Sequence, residues 1–310
     1  MSRAIKVTSD QMNSMLEYYA NFLQYQENSH IIARARTENA VITFYSTNTV
    51  LFQGISELTE YSYWAEKWGL KTTKANEEAK SLYENLSVIG SDEVGTGDYF
   101  GPIVVCSTFV SKEQIPQLKQ LGVKDSKLLT DEAINEIAYK IKDLITYSLL
   151  VLSPEKINSL NQTNQDNFNF IKAFLHNCAI NSILKKLHNV KYDAIIIDEF
   201  TPKEKYFQYL NNHPQVEKNI TMVPNGEKAH VAVAAASVLA RAAFLQELKK
   251  MSQQWQVELL KGASNMVDKQ AIALVKKYGF KTLSKVAKMK FANTERVYDY
   301  FNSHKSSVNE

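Results

Sequence analysis

The sequence predicts an α/β protein in two parts, a small α+β unit followed by a larger one built on a buried sheet. Three observations carry that expectation. A length of 310 residues suits two domains at roughly 100–200 residues each. Short aliphatic runs, such as Ile103 to Val110 and the core of Tyr192 to Phe200, alternate with longer stretches of helical periodicity. The first 70 residues hold several strand candidates with period-two alternation beside one helix.

Composition narrows the class. At 45% hydrophobic and 22% charged residues the chain can bury a sizeable core, yet no apolar run approaches the ~20 residues of a membrane span. The N-terminus lacks the apolar segment of a secretion signal, so a cytoplasmic location without a membrane partner is expected. Cys106 and Cys178 stand in apolar surroundings without Cys-x-x-Cys spacing, which argues against a disulfide framework or a zinc site. Net charge is only +3, but it is unevenly spread. Ten lysines from Lys249 to Lys290 face only Glu258 and Asp268, a local excess of +8. Such a stretch is either a set of solvated helix faces or a surface for a polyanion.

Residues 1 to 70 make the first unit. Ile5 to Val7 is a short strand candidate, and Ser9-Asp10 can cap a helix through Met12, Met15, Leu16, Tyr19 and Leu23. Strand candidates follow at Ile31 to Arg36, Val41 to Tyr45 and Val50 to Phe52. Alternation sets Arg34 and Arg36 opposite Ala33 and Ala35, and Tyr45 opposite Ile42 and Phe44. An antiparallel sheet with helices behind it leaves Arg34, Arg36 and Tyr45 open to solvent, a platform that can hold nucleic acid by charge and stacking. The unit is mildly acidic, so a structural or protein-binding module fits as well. Residues 71 to 85, polar and free of proline and glycine, read as a linker.

The second unit, 86 to 310, opens with an apolar run, Leu86 to Ile89, that delivers Asp92 and Glu93 into a turn rich in glycine. Gly90, Gly95, Gly97 and Gly101 are four of the chain's ten. Carboxylates beside so bare a backbone suit a hard metal ion with a phosphate alongside. An acidic surface turn is the plainer alternative. No Gly-Lys-Ser/Thr closes the loop, which excludes a P-loop. Ile103 to Val110 reads as a buried central strand. Gly122 to Lys127 is a polar loop carrying Lys124, Ser126 and Lys127, followed by a helix at 131–144 and a strand at Tyr147 to Leu152.

Gln165 to Leu187 reads as a long helix, in which His176 lacks ligand partners at metal spacing and is expected at the surface or a boundary. Tyr192 to Phe200 is a buried strand that again ends in a carboxylate, Asp198. Pro224-Asn225-Gly226-Glu227 turns into an alanine-rich helix, about Ala229 to Leu248, whose small residues imply close packing. Glu227 then either complements that helix's dipole or joins the other acids. Asp268 reads most simply as a helix cap.

If those ends are neighbours, Asp92, Glu93, Asp198 and Glu227 meet at one sheet edge. Unpaired they repel and shift upward in pKa, and divalent cations relieve that. Two ions about 3.5–4 Å apart are the usual machinery of phosphodiester hydrolysis. Lys124, Lys127 and the lysine stretch supply charge to hold a polyanion.

Taken together, Gly90-Ser91-Asp92-Glu93-x-Gly95-Thr96-Gly97-Asp98-Tyr99-Phe100-Gly101-Pro102, Lys124-Asp125-Ser126-Lys127 and Ile197-Asp198 closely resemble bacterial ribonuclease HIII, of the type 2 ribonucleases H. Gly226-Glu227, Ala235-Ala236-Ser237-Val238-Leu239-Ala240-Arg241 and Gly262-Ala263-Ser264 continue the match. The resemblance implies a ribonuclease H-like mixed sheet flanked by helices, preceded by a substrate-binding domain resembling a TATA-box-binding protein. It implies hydrolysis of the RNA strand of RNA–DNA hybrids to 3′-hydroxyl and 5′-phosphate ends, by a monomer using Mg²⁺ or Mn²⁺, two ions in the active complex.

It assigns Asp92, Glu93, Asp198 and Glu227 to catalysis and metal binding. It sets Gly95, Thr96 and Gly97 against the nucleic-acid backbone, where a 2′-hydroxyl can be sensed. Lys124, Ser126 and Lys127 join Arg34, Arg36 and Tyr45 as substrate contacts. The family often has lysine two residues before the fourth acid, where this chain has Asn225. Two alternatives stand beside this one. A ribonuclease HII shares the acids but usually has arginine or lysine at Thr96 and lacks the first domain. A hybrid-binding protein without activity is the other.

Overall fold

The structure is a computed structural model describing residues 2–28, 30–37, 40–54, 57–68, 82–124, 126, 129–160, 168–188, 190–213 and 215–305. The chain divides into two compact units, Met1–Asn76 and Glu77–Glu310. The stretch 71–81 of the expected linker lies outside the described residues.

In the first unit five antiparallel strands, β1 (Ser2–Lys6), β2 (Leu23–Asn28), β3 (Ile31–Arg36), β4 (Ala40–Tyr45) and β5 (Thr49–Gly54), lie in the order β1-β5-β4-β3-β2. Alternation selects the face that is covered. Ala33, Ala35, Ile42, Phe44, Val50 and Phe52 are fully buried. They pack against Met12 and Met15 of α1 (Ser9–Tyr18) and Trp64 of α2 (Glu57–Lys67). Trp64 donates its indole N–H to the Tyr19 hydroxyl at 2.9 Å, so the largest buried ring leaves no polar atom unpaired.

Three expectations are corrected here. The cap of α1 is Thr8, in a reciprocal capping box with Gln11, rather than Ser9-Asp10. Leu23 begins strand β2 instead of extending the helix. The helix α2 was not read from the sequence at all.

The second unit is a five-stranded mixed sheet in the order β10-β9-β6-β7-β8. Its strands are β6 (Val88–Val94), β7 (Ile103–Val110), β8 (Thr146–Leu152), β9 (Ala194–Asp198) and β10 (Thr221–Val223). β6, β9 and β10 run parallel to one another, while β7 and β8 complete an antiparallel meander. Both faces are covered, as the aliphatic runs required. Between β7 and β8 lie α3 (Ile115–Gln120) and α4 (Asp131–Ile141). Beyond β8 come α5 (Pro154–Leu160) and α6 (Phe168–Leu187), then α7 (Lys203–Tyr209) between β9 and β10.

After β10, a single turn, α8 (Gly226–Ala229), precedes α9 (Val231–Trp255). His230 breaks the two with extended backbone and caps α9, its Nδ1 accepting from the Ala232 amide at 3.0 Å. Short α11 (Leu283–Val286) and the longer α10 (Asn265–Tyr278) and α12 (Ala292–Lys305) end the chain. α9 is long and apolar enough to cross a membrane by composition, contrary to the sequence reading, but it is a core helix, with 67% of its most apolar window buried.

Even-numbered residues of β6 face α9, and odd-numbered ones face α6. Val88 belongs to the core under α9, and Ile89 to the core under α6. The helix backbone touches the sheet at Gly90. A Cβ added there would lie 2.3 Å from Val233 N and 2.4 Å from the Ala232 carbonyl carbon. The alanines of α9 permit this approach, and Thr108 ties it by donating to Ala232 O at 2.8 Å. Cys106 is buried beside this contact and Cys178 is half-buried on α6.

Gly90→Ala must therefore push two backbones apart. Urea unfolding should show a loss near the upper end of the ~1–3 kcal/mol typical of overpacking. Gly97→Ala, whose Cβ would meet open space, should change stability by less than about 0.5 kcal/mol.

Candidate active site

Parallel pairing of β6 with β9 in the register Ser91↔Ile197 makes Asp92 and Asp198 the next neighbours along that edge. Both belong to the face that α9 covers. β10 pairs Val223 with Asp198, and the chain then turns through Asn225 into α8, bringing in Glu227. Oxygens of Asp92, Asp198 and Glu227 lie within 4.8 Å of one another. Asn225 holds the left-handed conformation (φ 54°, ψ 49°) that this turn requires and that asparagine tolerates well.

Three negative groups this close must be held. Burial pushes Asp92 well above the usual carboxylate range, and the charges of Asp198, Glu227 and Glu93 push the same way, with a hydrogen bond from Ser237 opposing. Backbone amides anchor each acid. Gly226 N–H donates to Asp198 at 2.7 Å, Ser126 N–H to Glu227 at 2.7 Å, and Glu93 N–H to Asp92 at 2.7 Å. Converging carboxylate oxygens, from buried Asp92 and Glu227 and half-buried Asp198, form the donor set of a hard divalent cation, and these residues fit one.

Ser126, expected as a substrate contact, supports Glu227 through its amide. It is buried, its hydroxyl meets Ser237 at 2.8 Å, and Arg241 donates to its carbonyl. Arg241 also reaches Asp131 at 2.9 Å. Lys124 is exposed, available to a phosphate. Lys127 lies outside the described residues.

Glu93 does not join the three. Asp92 and Glu93 fall within β6, not beyond it, so consecutive side chains point to opposite faces. Glu93 meets α6, where Lys172 Nζ stands 3.1 Å from one oxygen and His176 Nε2 donates to the other at 2.9 Å. Burial alone would raise Glu93, but Lys172 and His176 outweigh it and hold it at about 2. His176 is fully buried, against the expectation of a surface or boundary position, and its Nδ1 lies 2.7 Å from Ser91 Oγ. The signal available in sequence was the spacing of Lys172 and His176, four apart and so on one helix face.

The glycine loop is strapped by the C-terminal segment. Tyr99 N–H donates to Gly262 O, Gly101 N–H to Val286 O, and Lys288 N–H to Tyr99 O, each at 2.9 Å. Gly95 is buried with φ +96°, and a Cβ there would lie 2.2 Å from Pro102 O, so it serves the turn itself. Thr96 and Asp98 are half-buried and Gly97 exposed, which makes 96–98 the loop's accessible part.

Lys288 is fully buried, one of the ten lysines counted as surface charge, and its Nζ donates to Gly101 O at 2.6 Å. Asp268 is not a cap. It is buried and bonded by Asn293 at 2.6 Å and Arg296 at 2.6 Å, tying α10 to α12.

On the first unit, cross-strand pairs place Arg34 beside Thr43 and Arg36 beside Val41, and Tyr45 shares their face, opposite the covered one. Arg36 is exposed, and Arg34 and Tyr45 are half-buried.

Burial pushes the Lys288 ammonium down to about 7 from 10.5, with Asp98 opposing. Between these values the unfolded chain keeps a proton that the native state has lost, so native stability rises with pH across that window. Wild type should gain on Lys288→Met from pH 7 to pH 10, by at most about 1.4 kcal/mol per pH unit, in urea unfolding at each pH.

A family model for Ribonuclease HII matches residues 89–294, and one for a Domain of unknown function (DUF3378) matches residues 3–81. A Ribonuclease HIII of Enterococcus faecalis is 38% identical over 301 residues, covering 95% of this chain and 97% of that protein. One from Geobacillus sp. is 38% identical over 296 residues, covering 95% and 97%. The crystal structure of Bst-RNase HIII in complex with Mn2+ aligns with a TM-score of 0.70 at 32% identity, over 97% of this chain and 99% of that one. Aquifex aeolicus RNase H3, at 20% identity, shares the fold with a TM-score of 0.54 over 93% of this chain and 99% of that one. Matched along nearly its whole length by ribonucleases HIII, and from 89 to 294 by the wider Ribonuclease HII model, the chain belongs to the ribonuclease HIII branch of that family.

Proposed function

We propose that the protein is a metal-dependent ribonuclease H that hydrolyses the RNA strand of RNA–DNA hybrids, leaving 3′-hydroxyl and 5′-phosphate ends and acting as a monomer. The observation that carries this is the three-acid cluster, Asp92, Asp198 and Glu227, within 4.8 Å in a chain of this family. These three would hold Mg²⁺ or Mn²⁺, two ions in the active complex, as Bst-RNase HIII holds Mn2+. When bound, the ions supply water activation and stabilisation of the departing 3′ oxygen.

The chain's own residues do the rest. Amides of Gly226, Ser126 and Glu93 fix the three carboxylates, so their oxygens are preorganised and need not be gathered at each turnover. Asp92 is raised by burial among like charges, and a bound cation would favour its ionised form. Glu93, ionised and neutralised by Lys172 and His176, is the fourth acid of the site. Thr96 and Gly97 lie against the hybrid backbone, and Lys124 takes a phosphate.

Thr96 stands where a ribonuclease HII usually carries arginine or lysine, and the N-terminal unit is present. Both favour cutting within runs of ribonucleotides over cutting at single embedded ones. Arg34, Arg36 and Tyr45 of that unit hold the duplex through phosphate and stacking contacts that do not read base sequence.

Cleavage of a labelled hybrid should need Mg²⁺ or Mn²⁺ and stop with EDTA. Equal cutting of double-stranded DNA would overturn the reading. Asp92→Asn and Asp198→Asn should each lower kcat by about a hundredfold or more while hybrid binding persists. Asp268→Asn weakens the link to Arg296 and should lower the melting temperature, with turnover of the folded protein within about threefold of wild type.

The double variant Arg34→Ala, Arg36→Ala should raise KM more than it lowers kcat, since uniform binding is what it removes. The slope of log affinity against log salt should fall by up to about 0.9 per lost phosphate contact. An unchanged KM and slope would make the unit a structural or protein-docking module.

A further inference from the structure

The cluster around Glu93 is built more elaborately than a fold needs. Lys172 and His176 are buried on α6 and grip the two oxygens of one carboxylate. Withdrawing charges from water costs several kcal/mol each, and apolar replacement of such a group is often neutral or stabilising. The same helix buries Ile171, Leu175 and Ile180 close by, so aliphatic closure of this space was open to it.

The cluster is also continuous with its surroundings on every side. Ser107 donates to Ser91 Oγ at 2.7 Å, Ser91 Oγ lies 2.7 Å from His176 Nδ1, and Ser91 also donates to Cys106 O at 3.1 Å. Phe200 stacks on the imidazole, with centroids 5.2 Å apart and planes 12° from parallel, and the Lys172 ammonium stands 4.3 Å from the same ring.

The two ends of this assembly lead to the acids. Glu93 carries the amide that donates to Asp92 Oδ1, and Phe200 follows Asp198 by two residues. We propose that Lys172 and His176 are positioning residues of the active site. By fixing Glu93 and Phe200 they set where Asp92 and Asp198 stand. The inference rests on the reading of that cluster as the divalent-cation site.

A positioning role must act through Glu93, and a double-mutant cycle isolates that coupling. The full-length variants Lys172→Met and His176→Gln are compared in the wild-type and Glu93→Gln backgrounds. The readouts are kcat and KM on the hybrid, and Mn²⁺ affinity of the free protein by calorimetry. Each single variant should lower kcat about tenfold to a hundredfold, as small misplacements of catalytic groups do, with KM within about twofold. Mn²⁺ affinity should fall about tenfold, and in the Glu93→Gln background the further loss should stay below about twofold.

Equal losses in both backgrounds would overturn the proposal, as would folded variants with wild-type kcat and Mn²⁺ affinity. If Lys172→Met does not fold, Lys172→Arg keeps the charge and should hold kcat within about threefold, and a folded Arg variant without that rescue counts against the proposal. Asp92→Asn, run alongside, separates the two readings. Retained Mn²⁺ binding and turnover there would sink the cation site itself, whereas their loss beside unaffected clamp variants would sink the clamp alone.

Discussion

Like charges at one sheet edge are the constraint on which the rest of the catalytic unit depends. Asp92, Asp198 and Glu227 are brought within 4.8 Å by parallel strand pairing and one tight turn. Burial raises the cost of every negative charge among them. Each carboxylate therefore carries a fixed backbone donor, and the donors come from three places: the strand itself at Glu93, the turn at Gly226 and the polar loop at Ser126. Amides are suited to this because they bring a partial positive charge without side-chain freedom to lose. The loop that supplies Ser126 is held in turn by Arg241, which grips its carbonyl and Asp131. The alanine-rich helix thus supports the acids from two positions one turn apart, Ser237 and Arg241.

The contact of that helix with the sheet makes such support possible. Because Gly90 has no side chain, the helix axis drops onto β6 and Ser237 comes within hydrogen-bonding reach of Asp92. Strand alternation then divides the edge. Gly90 and Asp92 share the α9 face, while Ser91 and Glu93 share the α6 face with Lys172 and His176. A single residue of register along β6 would exchange these environments, putting Glu93 among the acids and Asp92 beside Lys172 and His176. The deep packing of Val88 and Ile89 on opposite cores fixes that register far from the chemistry.

How much of this was legible in the sequence follows from the range of the interactions involved. The aliphatic strands, the alanine-rich helix and the acids at strand ends were legible because each depends on a local pattern. The surroundings of Ser126, Asp268 and Lys288 were not legible because they are set by partners far along the chain: Ser237 and Arg241, Asn293 and Arg296, and Phe100 and Gly101. The division between Asp92 and Glu93 was readable in principle from period-two alternation, had the strand been extended four residues past its apolar run. His176 had a local clue, Lys172 one turn away, but no indication that Glu93 would face it. β2 has only Leu23 and Tyr25 as an alternating apolar pair and is placed by the sheet it completes, whereas α2 was legible from Tyr61, Trp64, Ala65 and Trp68 at helical spacing and was overlooked.

The mild acidity of the first unit argued against nucleic acid as its partner, and the arrangement of charge answers that objection. Rows of cross-strand pairs run Arg34–Thr43–Leu51–Ala4 and Tyr45–Thr49–Lys6 across the open face. The charged side chains described there, Lys6, Arg34 and Arg36, are all basic. The acids Asp10, Glu17, Glu57 and Glu60 belong to the two helices, and Glu57 lies near the one arginine on the covered side, Arg3, at 3.8 Å. Net charge is a sum over both faces, whereas a polyanion within a Debye length of about 8–10 Å meets only one. The sign of the sheet face, not of the unit, decides what can lie on it.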